Sequence, residues 1–287
     1  MDLPTPTIRP ARQGDLPAIR ALEGAYGNLD AWPERPDFLD HELAAGRAVV
    51  AEAGGEVVAF AGVFEQSGIT YLADAFVRRD LLGRGLGRAV VGAVLGGAGI
   101  MLTSASHDPR ALPLYARFGM RPVLPLLYLS GTRAAAAALA GADVELREPG
   151  GALADAVRLD AGASARERPH ELAFLAATPG GRLLLALDAA RAVGYGVVRA
   201  VGVGGERHAF LGPVGAVDED AMDRTTRELV RTAAERAARV HVAVLGPHPS
   251  LAALLEAGFR IVDRDTVMCT RLDLLDGTRY APNPDLG

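Results

Sequence analysis

The chain of 287 residues carries 30 basic side chains, none of them lysine, against 35 acidic ones, for a formal net charge of −5. Without a dense basic run, this balance gives no reason to expect a nucleic acid partner. The single cysteine, Cys269, excludes an internal disulfide and is expected in the core, and the six histidines lack metal-ligand spacing, so no metal is expected. The absence of a leader-like start and of a membrane-length apolar run predicts a cytoplasmic protein with no membrane partner.

The most informative stretch joins a predicted strand to a predicted helix. Residues 70–77 are apolar and rich in β-forming types, and residues 84–95 repeat their apolar side chains at the spacing of one helical face. Between the strand and the body of the helix lie Gly83, Gly85 and Gly87. Backbone amides at a helix start attract anions, and the missing Cβ atoms would let a phosphate approach closely. The alternative is a tight turn that binds no ligand.

Two common phosphate-binding motifs do not fit this turn. A P-loop needs a lysine on the phosphates, and the chain has none. A dinucleotide fingerprint has the spacing G-x-G-x-x-G, whereas these glycines are spaced G-x-G-x-G. The turn therefore predicts a different phosphate-bearing cofactor.

A second motif follows closely. Residues 100–104 predict a short buried strand, and a helix is expected to begin near Pro109 and to stop at Gly119. At this point the chain resembles the GNAT family of acetyl-CoA-dependent N-acetyltransferases. Residues 82–87 fit the family's cofactor loop except at the first position. The later family motif, with Asp108 in place of the usual Asn, fits Asp108, Ala111, Leu114, Tyr115, Gly119 and Met120.

The resemblance implies the cofactor, acetyl-CoA, and the residues that bind it. Backbone amides from Gly83 to Arg88 would hold the pyrophosphate, and the strand around Phe76 and Val77 would pair with the pantetheine amides and polarise the thioester. The residues expected to bind the cofactor are Phe76, Val77, Leu82, Gly83, Arg84, Gly85, Leu86, Gly87, Arg88, Asp108 and Tyr115.

The same resemblance places the catalytic groups. Tyr115 lies where the family has its general acid for the departing thiolate. The alternative for Tyr115 is an ordinary aromatic residue on the inner face of its helix. Asp74 and His107 are the candidate bases for the acceptor amine, and water is the alternative to both. Asp74 could equally be a solvated strand residue, and His107 a loop residue bonded to backbone.

An internal repeat extends the prediction to the whole chain. Residues 115–121 align without gaps with residues 254–260, and the same offset of 139 carries Val77 onto Ala216. We therefore predict an α/β protein of two tandem GNAT-like domains, with mixed, mainly antiparallel sheets flanked by helices. The expected bounds are 1–131 for the acetyl-CoA-binding domain, 132–142 for an alanine-rich linker, and 143–287 for the second domain.

The second copy is predicted to be degenerate. The offset replaces the three glycines with Met222, Arg224 and Thr226, and it replaces Tyr115 with Leu254. Side chains are thus expected to crowd the phosphate path, and the acid is missing. The polar tail over residues 276–287 is expected to be a mobile extension, with Tyr280 as a possible surface anchor.

The resemblance implies transfer of an acetyl group from acetyl-CoA to a primary amine of a small-molecule acceptor by direct attack. The second domain resembles the degenerate C-terminal domain of a group of bacterial tandem acetyltransferases. The alternative is a non-catalytic acyl-CoA-binding regulatory or scaffold protein. The loop over residues 26–39 is the expected lid of the acceptor cleft, in which Trp32 is either a hydrophobic plug or a pocket wall. The sequence predicts neither the acceptor nor the oligomeric state.

Overall fold

The computed structural model of the protein describes residues 5–150 and 153–287. Contacts divide the chain into two compact units. The first runs up to Arg121 and includes Met268–Arg271, and the second contains Pro122–Val267 and Leu272–Gly287. This division differs from the bounds 1–131, 132–142 and 143–287, which also include residues 1–4 and 151–152 outside the described part. The difference arises because strand pairing, rather than the alanine-rich composition of 132–142, decides where residues 122–132 belong.

The first unit is a five-stranded sheet with helices on both faces, as far as its described residues extend. Its strands are β1 (Thr7–Pro10), β2 (Arg47–Ala53), β3 (Glu56–Gln66), β4 (Ile69–Val77) and β5 (Ile100–Ala105). Its helices are α1 (Leu16–Gly24), α2 (Phe38–Ala45), α3 (Leu86–Leu95) and α4 (Ala111–Ala116). Successive strands are antiparallel neighbours, except that β4 and β5 run parallel.

The alternation of side chains along β3 separates the two helical layers. Ala59, Ala61 and Val63 belong to the buried cluster that contains Val90 and Val94 of α3. Since neighbouring residues of a strand point to opposite faces, Phe60 and Gly62 face the other layer. That layer contains α1 and α2, and α2 begins with a capping box formed by Asp37 and Asp40.

The second unit repeats this plan. Its strands are β6 (Arg121–Thr132), β7 (Glu145–Arg147), β8 (Gly181–Asp188), β9 (Arg191–Val203), β10 (Glu206–Ala216), β11 (Arg239–Leu245), β12 (Arg260–Cys269) and β13 (Tyr280–Ala281). Its helices are α5 (Arg133–Ala138), α6 (Ala154–Ser164), α7 (Pro169–Ala177), α8 (Glu219–Arg236) and α9 (Leu251–Glu256). The strand order is β6-β11-β10-β9-β8-β7, with β10 and β11 parallel and the other pairs antiparallel.

These elements confirm the predicted fold class. The strand expected over 70–77 lies within β4, and the helix expected over 84–95 begins at Leu86. The alanine-rich run forms α5, and Cys269 is buried as expected. None of the helices in the described ranges combines the length and apolarity needed to cross a membrane.

Candidate active site

The glycine turn leaves the start of α3 open. Gly83 and Gly85 have φ angles of +79° and +86°, and a Cβ atom built on either would meet no atom within 4 Å. Glycine is therefore needed here for the left-handed backbone rather than for space. Gly85 is the N-cap of α3, and no side chain of the described residues caps this end. The first amides of α3 are thus available to an anion, where the helix dipole also favours one.

The adjacent edge of β4 is open as well. Pairing between β4 and β5 ends at Leu72 and Thr103, although β4 continues to Val77. The amide of Arg78 donates to Val58 of β3 at 2.8 Å. Because alternate residues of a strand direct their polar backbone groups to the same side, those of Val77 and Ala75 point away from β3, toward the gap. This gap is an extended groove that leads to the turn before α3.

This alternation corrects one predicted contact. Phe76 directs its backbone toward β3, and its ring packs against Tyr26 at 5.1 Å and Phe60 at 6.0 Å. Ala75, which sequence reasoning missed, provides the open backbone instead. Strand parity alone could have shown this, but only once the partner strand and its register were known.

A β-bulge in β4 lies beside the candidate base. Gly62 pairs with Asp74 and Val63 pairs with Leu72, so that Ala73 is the extra residue. A bulge bends the strand and re-aims the neighbouring groups. Asp74 is 6% exposed, so it is not the solvated strand residue of the alternative reading. His107, the other candidate base, is exposed in the loop after β5.

Tyr115 lies on the opposite face of β4 from Asp74. It is 8% exposed and belongs to the buried cluster that includes Val77, with Leu86 and Leu114 packed against it. A Cβ atom on Gly87 would lie 3.6 Å from Leu114 Cδ2 and 3.7 Å from Val77 Cγ2, so α3, α4 and β4 converge here. The candidate acid and the candidate base thus flank the groove from its two sides.

The remaining predicted residues surround this point. Leu82 packs against the same cluster, whereas Arg84 and Arg88 are exposed beside the open helix end. Asp108 bonds the amide of Arg110 at 2.8 Å and pairs with its guanidinium, which holds the pKa of that carboxyl below its usual value.

Tyr26 is a site residue that sequence reasoning placed only within the lid. Its hydroxyl donates to the carbonyl of Val77 at 2.7 Å, and Arg79 lies 4.5 Å over its ring. Burial raises the pKa of this phenol above its usual value. Tyr26 therefore covers one acceptor on the open edge of β4. Trp32, further along the loop, is 2% exposed and packs 5.6 Å from Phe38, which is the plug arrangement.

The equivalent groove of the second unit is filled by the chain's own tail. The short strand β13 pairs antiparallel with Val214 and Gly215 of β10, and the amide of Ala216 donates to the carbonyl of Arg279 at 3.0 Å. Tyr280 is fully buried. The expectation of a mobile tail is therefore wrong, because its backbone satisfies a strand edge that would otherwise have no partner.

Polar side chains hold the tail in place. Asn283 donates to the carbonyl of Gly212 at 3.2 Å, and Arg166 donates to the hydroxyl of Tyr280 at 3.1 Å. Arg168 pairs with the buried Asp160 and also donates to the carbonyls of Leu286 and Gly287. Removing either Arg168 or Asp160 should strongly destabilise the second unit, since the other charged side chain would remain buried without its counter-charge.

The start of α8 differs from that of α3. Only Val217 and Asp218 connect β10 to α8, and the Asp218 side chain accepts from the amide of Ala221 at 2.8 Å. The first turn adds Glu219 and Asp220. An acidic cap and acidic neighbours occupy the position that would attract a phosphate.

Met222, Arg224 and Thr226, which align with the three glycines, do not crowd a phosphate path as predicted. Met222 and Thr226 are fully buried within α8, and Arg224 pairs with Asp188 at 2.9 Å. These residues do not line a phosphate loop, because the loop itself is absent. Leu254 is fully buried in the core of the second unit, as an aliphatic replacement of Tyr115 allows.

Comparisons with known proteins give a family match for part of the chain and a fold match for the whole of it. Residues 16–120 match the model of the Acetyltransferase (GNAT) family. A structure of a candidate acetyltransferase from Pyrococcus horikoshii shares 14% identity with a TM-score of 0.77, covering 100% of this chain and 98% of that one. A GCN5-related N-acetyltransferase from Sphaerobacter thermophilus shares 18% identity at a TM-score of 0.59, covering 99% of each chain.

A third solved structure has the same two-part organisation. A tandem GNAT protein from the clavulanic acid biosynthesis pathway shares 16% identity at a TM-score of 0.62, covering 94% of this chain and 100% of that one. Identities this low establish similarity of fold alone. No curated protein matches the sequence.

Proposed function

Because residues 16–120 match the Acetyltransferase (GNAT) family, we propose that the protein transfers an acetyl group from acetyl-CoA to a primary amine of a small molecule. The observation that carries the proposal is the continuity of the open β4 edge with the uncapped start of α3. An extended amide-bearing chain that ends in a diphosphate matches both parts of this groove. The family match supports an acetyltransferase in general. Acetyl-CoA as the donor and a primary amine as the acceptor are what we add to it.

The fit of the cofactor rests on unpaired backbone. The amides at the start of α3, with Gly83 and Gly85 bare, would take the pyrophosphate, and Arg84 and Arg88 would add positive charge. The open-side groups of Ala75 and the amide of Val77 would pair with the pantetheine amides, since Tyr26 occupies the Val77 carbonyl. The tail of the second unit makes the corresponding bond to Ala216, which supports this use of the first unit's groove.

The chemistry needs a polarised carbonyl, a neutral amine and a protonated leaving group. A backbone amide at the bulge around Ala73 would polarise the thioester oxygen. Asp74 would accept a proton from the amine, and Tyr115 would protonate the departing thiolate. Holding both reactants in one groove would supply a further part of the rate.

The test measures thiol release from acetyl-CoA with a panel of small amines, with calorimetric titration of acetyl-CoA beside it. Tyr115→Phe should lower kcat by about 10²–10⁴-fold and leave cofactor affinity nearly unchanged. Tyr128→Phe is the control, since its hydroxyl bonds Asp265 in the second unit. Binding of acetyl-CoA without thiol release for any amine would favour the regulatory acyl-CoA-binding protein instead. Failure to bind acetyl-CoA would refute both readings.

A further inference from the structure

A second carboxyl lies beside Asp74 in the interior of the first unit. Glu42, on α2, is fully buried. Gly62 pairs directly with Asp74 across β3 and β4, and a Cβ atom on Gly62 would lie only 1.4 Å from Glu42 Oε1. The space of the missing side chain is therefore taken by the Glu42 carboxyl. The two carboxyl groups occupy the same face of the sheet.

The surroundings of Glu42 favour its neutral, protonated form. Within the described residues, no N–H or hydroxyl group donates to either of its carboxyl oxygens. The carboxyl of Asp74 is its neighbour, because Glu42 fills the side-chain space of Gly62, which pairs with Asp74. Two carboxyl groups can share a hydrogen bond only when one of them carries a proton. Burial raises the pKa of Glu42 well above its usual value, and the charge of Asp74 raises it further.

On the described elements around Glu42, the arginine side chains pair with other carboxyl groups. Arg20, on the neighbouring α1, is bound to Asp37 at 2.9 Å and to Asp40 at 2.6 Å. Arg47 of β2 pairs with Glu65 of β3 at the surface. The other titratable groups on the elements around Glu42 are the buried Glu23 of α1, His41 of α2, which stacks on Phe64, the half-buried Glu52 of β2, which pairs with Arg9, the exposed Glu56 of β3 and the buried Tyr71 of β4.

We propose that Glu42 is a positioning residue, which donates its hydrogen bond to Asp74 and keeps Asp74 as the ionised member of the pair beside the bulge. The pair then carries one negative charge next to the groove. It selects an acceptor whose reactive nitrogen arrives as an ammonium ion, which is the state of an aliphatic primary amine. An arylamine arrives neutral and gains nothing from this charge. The inference rests on the proposed acetyl transfer.

The proton balance of the step is complete. The acceptor ammonium gives one proton to Asp74, and its nitrogen lone pair forms the bond to the thioester carbon. The carbon–sulfur bond breaks, its electron pair stays on sulfur, and Tyr115 protonates that sulfur. The second proton of the nitrogen returns to the Tyr115 oxygen, and Asp74 releases its proton to water. One proton is released for each acetyl group transferred.

The first measurement needs no acceptor. Infrared spectroscopy of the full chain near neutral pH should show a neutral carboxylic acid band that disappears in Glu42→Gln. The band should persist in Glu34→Gln, whose side chain lies in the exposed part of the loop before α2. Absence of the band from the wild type would overturn the inference, whatever the outcome for acetyl-CoA.

The second measurement follows kcat/KM against pH, with 2-phenylethylamine and aniline among the panel amines. Glu42→Ala removes the donor to Asp74, so the rising limb should move to higher pH and kcat/KM for the aliphatic amine should fall at least about 10-fold. Glu42→Gln keeps a donor and should restore most of the activity. Asp74→Asn should lower kcat/KM for the aliphatic amine by a larger factor than for the arylamine.

Each result separates the inference from the proposed function. Equal effects of Asp74→Asn on both amine classes, or an unmoved pH profile in Glu42→Ala, would overturn the role of the pair while acetyl transfer stands. A wild type that releases no thiol with any amine would refute the proposed function, and the infrared band would still decide whether Glu42 is neutral.

Discussion

The two units have grooves at equivalent positions, but only the groove of the second unit is filled by a segment of the chain. Pairing of the parallel strands ends at Leu72 and Thr103 in the first unit and at Leu211 and Val242 in the second, both at the offset of 139 residues. Beyond this point the first unit leaves its strand edge open, whereas the second fills the edge with β13. The groove is thus a property of the fold, and its occupant is a property of each copy.

The helix that follows each groove differs in the same direction. In the first unit a glycine turn exposes the amides of α3 without a side-chain cap among the described residues. In the second, Asp218 caps α8 and leaves little for an external anion to bind. The two units thus keep the same kind of sheet, while the amides at the start of the following helix are open in one and capped in the other. Four predictions test or sharpen this contrast.

The largest expected effect is on cofactor affinity. Gly85→Asp would place a side chain and a negative charge at the uncapped end of α3, so acetyl-CoA affinity should fall about 100-fold or more. Gly205→Asp is a matched control, because Gly205 has a φ of +87° in the β9–β10 turn and also faces open space. Calorimetry should give one site per chain. Two equivalent sites would contradict the difference between the grooves.

The tail is expected to be structural. Tyr280→Ala removes a fully buried aromatic side chain and should destabilise the second unit by about 3–5 kcal/mol. Acetyl-CoA affinity should stay within about twofold, since the first unit holds the proposed site. Denaturant unfolding and calorimetry measure the two effects. Leu272→Ala, at a side chain 50% exposed, serves as the control, and equal stability of both variants would argue against a filled groove.

The carboxyl pair belongs to the first unit alone. Val198 pairs with Leu211 as Val63 pairs with Leu72, so the buried Val197 takes the position of Gly62 and Pro213 that of Asp74. Gly62→Ala should therefore cost about 1–3 kcal/mol by driving a methyl group into Glu42. In a Glu42→Ala background the same change should cost less, and a double-mutant cycle measures the difference. Simple additivity would mean that Glu42 does not fill the space at Gly62.

The smallest expected effect is a pH dependence of opposite sign in the two units. The folded-state pKa of Glu42 is raised. Its contribution to the free energy of unfolding is therefore fully present below the unfolded-state pKa and is lost as pH rises through the folded-state pKa. Burial lowers the pKa of His241 and His248 to about 4, so their contribution is lost as pH falls from 6.5 toward 4. Each group should give a slope below about 1.4 kcal/mol per pH unit.

Unfolding free energies measured across pH test these signs. Glu42→Gln should flatten the alkaline side of the stability curve and leave its acidic side unchanged. His248→Gln should flatten the acidic side, because it removes a buried imidazole that titrates there. In the wild type the Nδ1 atom of His248 accepts from the Ser250 amide at 3.1 Å. An alkaline slope that persists in Glu42→Gln would mean that another group is responsible.

The sequence by itself determined the parts of the site that are contiguous in the chain. The glycine turn, the helix after it and the Tyr115 motif are each written within a few consecutive residues, and their order identifies the fold. The repeat needed only self-comparison, which is why two sheets of one class could be predicted. A glycine within the apolar β3 was the available signal for Glu42, because such a residue often marks a close approach.

Tertiary structure alone decided what meets across strands. The register of β3 and β4 sets Gly62 opposite Asp74, and the fold of α2 over that strand then brings in Glu42. The same kind of register choice turns Ala75 rather than Phe76 toward the groove, and joins the tail to β10. A shift of one residue would reverse every one of these placements. Such contacts depend on pairing between distant segments, for which a single sequence carries no local pattern.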